Sequence, residues 1–129
     1  MRRRYDSLFD ACPHAYIQQS SVWAEAIRDI GPDQPFLMLY ESGGEAVAGL
    51  PLYLFRSESG HVMTSVPQPG PLGGVFCRAG IDEGIRRQAY RELLAAAVDL
   101  AIDHQCLTLS LLTNPLSPDA DLCEDGLRG

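Results

Sequence analysis

Four cysteines and three histidines are the first side chains with chemistry to offer. Cys12, Cys77, Cys106 and Cys123 are widely spread, and no two form a CxxC pair. Cys12-Pro13-His14 and His104-Gln105-Cys106 each set two donors one residue apart, which in a strand puts them on one face. Zinc usually takes closely spaced pairs in a set of four, and Cys106 reads as a buried strand residue, so no metal site is expected. His61 and Ser65 share a strand, where four residues span about 13 Å, too far for a base to reach a nucleophile. No GxSxG elbow, GxxxxGK[ST] loop or GxGxxG turn occurs. Glu41 and Glu45 flank a turn, where exposed ends are the plain reading. The remaining candidates are contact residues. Gly73 and Gly74 let backbone approach a ligand closely, or simply make a tight turn. Trp23 offers a stacking surface and Tyr53 a polar tip for a cleft, with core packing the preferred reading of both.

Those residues need elements to position them. Ser20 and Ser21 can cap a helix whose apolar positions Val22, Trp23, Ala26 and Ile27 recur at helical spacing; Gly31-Pro32 stops it. Phe36–Glu41 reads as a strand, Ser42-Gly43-Gly44 as a hairpin turn, and Glu45–Phe55 as the returning antiparallel strand. Pro51 has no N–H to give a ladder, so it belongs at an edge or a bulge. His61–Val66 completes a meander. The stretch from Pro67 to Gly74 breaks regular structure and reads as an ordered loop on the core. Asp82 and Glu83 open a long helix with a stripe of Ile85, Ala89, Leu93, Ala97 and Ala101, widened by Tyr90, Leu94 and Val98. Cys106–Leu112 is a strand with leucine at alternate positions. Strand, helix and strand in succession imply a crossover and a parallel pair. The result is an α/β (α+β) fold with a mixed, mainly antiparallel sheet flanked by helices.

Residues 1–15 show no sustained period and read as a solvated lead-in; 115–129 are acidic and read as an unpacked, disordered tail. The chain's 129 residues suit one domain, and 46% hydrophobic content excludes wholesale disorder. A net charge of −7 argues against general nucleic-acid binding. No apolar run approaches the ~20 residues of a membrane-spanning helix. Arg2-Arg3-Arg4 is followed by Tyr5-Asp6-Ser7 rather than an apolar run, so no signal peptide is read; reduced thiols in the cytoplasm are expected.

The order helix, meander, proline–glycine loop, helix and strand resembles half of a GNAT-type acyltransferase. Tyr16-Ile17-Gln18-Gln19-Ser20-Ser21-Val22-Trp23, Ala48-Gly49-Leu50-Pro51-Leu52, Thr64-Ser65-Val66-Pro67 and Pro71-Leu72-Gly73-Gly74 are similar, in order and spacing, to segments of the FemAB-like acyltransferases. The resemblance covers 16–114, a GNAT-like half domain, incomplete relative to a family that carries two such units. It implies acyl transfer to an amine-bearing small molecule or cell-envelope precursor, with acyl-CoA or aminoacyl-tRNA as the donor of a complete protein. Trp23, Tyr53, Ser65, Pro67, Gly73 and Gly74 are the candidate substrate contacts, and the resemblance assigns no catalytic residue. Family domains that bind coenzyme A hold its pyrophosphate in a [RQ]xxGx[GA] loop at a helix N-terminus. Here Arg78-Ala79-Gly80-Ile81-Asp82-Glu83-Gly84 stands instead, with two acids, so this half is expected to bind no cofactor. The chain is expected to be a fragment or truncated reading frame, inactive alone, that needs a missing second half or self-association. The alternative is a non-catalytic binding or assembly module, in one form a homodimer.

Overall fold

The computed structural model describes residues 2–13, 15–28, 34–65, 74–112 and 119–128. The chain opens with α1 (Arg2–Asp10), then a 3-10 turn (Ile17–Gln19) and α2 (Ser21–Ile27). A hairpin follows, β1 (Gln34–Ser42) and β2 (Glu45–Phe55), turned by Gly43 and Gly44 at φ 62 and 79. Then come β3 (His61–Thr64), β4 (Phe76–Cys77), α3 (Glu83–Asp103), β5 (Cys106–Ser110) and α4 (Ala120–Arg128).

The sheet runs β1-β2-β3-β5, with β4 also on β2. The hairpin is antiparallel and β3 pairs with β5 in parallel across the α3 crossover, as the element order implied. One side of the sheet carries α3 and α4 on Leu50, Leu52, Leu54 and Met63. On the other, α1 packs through Tyr5 and Leu8 with Phe76, while α2 packs through Ala24 and Ile27 on Tyr53.

Both expected loose ends are corrected. In the lead-in, Tyr5, Leu8, Phe9 and Cys12 form an apolar stripe at helical spacing, hidden in the sequence among arginines. Phe76 receives Tyr5 and Phe9 edge-on, at 5.3 and 5.9 Å between ring centroids. In the tail, α4 buries Leu122 and Cys123 against α3. Asp119 is 1% exposed, its carboxylate accepting the Tyr90 hydroxyl at 2.5 Å, so one of the acids that suggested a solvated tail is a core residue. Gly126 lets α4 close on α3: a Cβ there would stand 2.7 Å from Leu94 Cδ1.

Two further departures shape the site. Leucine does not alternate cleanly into the core along β5, because a bulge pairs His61 with Cys106 but Val62 with Thr108. Leu107 is the extra residue and stands 70% exposed. Pro51 lies inside a strand paired with β1 along its length, yet its position remains that of an edge. The opposite side of β2 meets β4 at Ala48 and Gly49 and β3 only from Tyr53 onward. Between them the sheet forks at Leu50–Leu52, where a missing N–H breaks no ladder.

Candidate functional site

The fork gathers Ser65 and Gly74 of the contact residues read from the sequence, with Tyr53 at its border. Ser65 follows β3 and Gly74 precedes β4, so both stand at its mouth. Ser65 is fully buried; its N–H donates to the Ser110 carbonyl at 2.9 Å, and its Oγ accepts from Leu112 N–H at 2.8 Å. Gly74 meets the same stretch. Its φ is 99, and a Cβ would fall 2.3 Å from the Leu112 carbonyl oxygen. Tyr53 is fully buried beneath α2, its hydroxyl 3.5 Å from the Gln18 carbonyl. Trp23 packs partly buried against the same cluster, and its indole Nε1 has no hydrogen-bond partner among the described residues. Pro67 and Gly73 lie outside the described residues.

Gln19 is the residue sequence reasoning missed. It is fully buried and ties three segments together. Its Nε2 donates to the Gly74 carbonyl at 2.9 Å and its Oε1 accepts the Tyr16 N–H at 2.6 Å. Its own carbonyl accepts the Tyr5 hydroxyl at 2.6 Å. The glutamine was visible in the motif; its partner 55 residues away was not.

Chemically the fork offers backbone groups and engaged hydroxyls. Its titratable groups among the described residues, Tyr5 and Tyr53, are phenols that burial holds above their ordinary range. His61 points elsewhere, its Nδ1 3.1 Å from the His104 carbonyl. This arrangement suits contact and positioning better than proton transfer.

A second recess of about 250 Å³ lies at the β4–α3 junction, lined by Cys77, Arg78, Gly80 and Arg86. Its two cations are engaged. Arg78 Nε donates to the Ala46 carbonyl at 3.2 Å; Arg86 lies 3.6 Å from Glu83, its guanidinium over the Tyr90 ring. Asp82 caps α3 itself, its carboxylate accepting the Gly84 N–H at 2.9 Å. At the α3 N-terminus beside the recess, a pyrophosphate would compete with the Asp82 carboxylate for the first-turn amides and lie next to Glu83. Among the described residues no three metal-type donors converge.

The thiols are not poised to react. Burial pushes Cys77 up to about 11 and Cys12 and Cys123 to about 12, from an ordinary 9.0. A group raised in the folded state stabilises fully below its unfolded value and loses that contribution as pH rises toward the folded one. The urea midpoint is therefore expected to fall between pH 9 and 11; a flat midpoint over that window would contradict the burial of these thiols.

No family model matches the chain, and no curated protein matches its sequence. Solved structures do. FemX is similar over 99% of this chain at TM-score 0.68 and 14% identity, and the chain covers 29% of FemX. TTHA1254 from Thermus thermophilus matches over 99% of this chain and 81% of its own, at TM-score 0.60 and 17% identity. A transcriptional regulator from Bacillus halodurans matches over 82% of this chain and 67% of its own, at TM-score 0.52 and 21% identity. Identities this low speak to fold alone, and they agree with the order of motifs: the chain has a FemAB-like, GNAT-type fold.

Proposed function

We propose that the chain is the N-terminal part of an N-acyltransferase and is inactive alone. In the complete protein an acyl or aminoacyl group moves from acyl-CoA or aminoacyl-tRNA to an amine-bearing small molecule or cell-envelope precursor. The fork then contributes substrate contacts through Gly74 and its neighbours, while the donor is held elsewhere. The observation that carries this reading is the joint one at α3: a FemX-like fold whose helix N-terminus is capped by its own Asp82. The test is acyl transfer by the chain alone, with acetyl-CoA and an aliphatic amine. No turnover above background is expected; steady turnover would overturn the reading.

A second reading, a non-catalytic assembly module that self-associates, draws on the edge of the sheet. Among the described residues β5 has no second strand partner, and Cys106–Ser110 carries no charge to protect that edge. Val62 and Leu107 stand exposed on β3 and β5 beside that edge, and Val98 and Ile102 on α3, across the sheet from Val62. Either a second half or a second copy would cover this edge. If a copy does, sedimentation should give a dimer that Leu107→Lys converts to monomer. A monomer at every concentration leaves the second half as the cover and removes the assembly reading.

A further inference from the structure

Two other large apolar side chains lie open to water: Ile17 is 60% exposed and Val22 65%. Both line a groove of about 390 Å³ where α1 meets the turn into α2, with Phe9, Asp6 and Asp10 beside them. That volume lies in the lower range of small-molecule sites. Asp6 and Asp10 are one helical turn apart and so share a face of α1.

The polar groups of the groove are unequally engaged. The Ser20 hydroxyl is spent in the α2 cap, donating to the Ile17 carbonyl and accepting from Trp23 N–H. The Ser21 hydroxyl donates to Asp6 Oδ1. The other Asp6 oxygen lies 3.8 Å from Arg2 Nε, but the same guanidinium makes a closer pair, 2.7 Å, with Glu25. Asp10 is exposed and has no hydrogen bond or ion pair among the described residues. The groove thus presents apolar walls, a surplus of carboxylate and no free side-chain donor among the described residues. An anion is repelled, and a neutral hydrocarbon leaves Asp10 unmatched. A cationic donor on a short apolar body satisfies both parts.

We propose that this groove binds a free aliphatic primary amine, its ammonium against Asp10 and Asp6 and its hydrocarbon on Phe9, Ile17 and Val22. The proposal shares no residue with the fork and stands whether or not the chain belongs to an acyltransferase. Its test is an amide NMR titration of the full chain at pH 7 with n-pentylamine and, separately, 1-pentanol. Pentylamine should give saturable shifts at Phe9, Ile17 and Val22 and bind about fivefold more tightly than the alcohol, the upper worth of an exposed ion pair. Asp10→Asn should bring the two probes to within about twofold of one another, and Val22→Ser should weaken both. Unsaturable shifts, equal binding of amine and alcohol by the native chain, or undiminished amine binding by Asp10→Asn would each overturn it. So would saturation by a lysine-rich peptide but not by pentylamine, which would make the groove a protein-docking surface.

Discussion

Gly74→Ala is expected to lower stability by about 3 kcal/mol or more, seen as a fall in the urea midpoint with an unchanged slope. Two causes add. A φ of 99 strains any residue with a Cβ, at ~1–3 kcal/mol. The new methyl would also stand 2.3 Å from a backbone oxygen, that of Leu112. Leu112 cannot retreat freely, because its N–H is bonded to the buried Ser65 hydroxyl. A change below about 0.5 kcal/mol, the ordinary scatter of surface substitutions, would show that Gly74 does not close against Leu112.

Gln19→Leu is expected to cost ~2–4 kcal/mol although it keeps the side chain's approximate size. It strips partners from the buried Gly74 carbonyl and the Tyr16 N–H at once. Leaving such groups unpaired costs more than the original bonds contribute, roughly 1–3 kcal/mol each. Because Gln19 and Gly74 touch, the double variant should destabilise by less than the sum of the two. Simple additivity in urea unfolding would separate them into independent features. Stability and any substrate contact at the fork therefore depend on the same atoms, so variants here need a folding control before loss of binding is interpreted.

The parts of this fold legible in the sequence are those governed by neighbours along the chain. Glu45–Phe55 is a strand at the boundaries its hairpin turn and apolar run suggest. The β3–β5 parallel pair follows from strand–helix–strand order, and the α3 stripe from its period. What stayed hidden depends on distant partners. The Asp119 carboxylate is buried against the hydroxyl of Tyr90, 29 residues away along the chain. The fork exists because β4, two residues long, pairs at Ala48 and Gly49 rather than further along β2. Of the site, Ser65, Gly74, Tyr53 and Trp23 were legible as candidates. The joining of Gly74 to Gln19 and of Ser65 and Gly74 through Leu112 was not, since no local pattern links Gln19 to Gly74.

We propose that the α3 N-terminus of this GNAT-type fold is closed to a pyrophosphate by the Asp82 and Glu83 carboxylates. Calorimetric titration of the chain with coenzyme A, carried to millimolar concentration, tests that claim most directly. The predicted result is no saturable heat, for the native chain and equally for Arg86→Ala. Saturable binding lost on Arg86→Ala would contradict it, placing the cofactor at the β4–α3 recess beside the Asp82 cap.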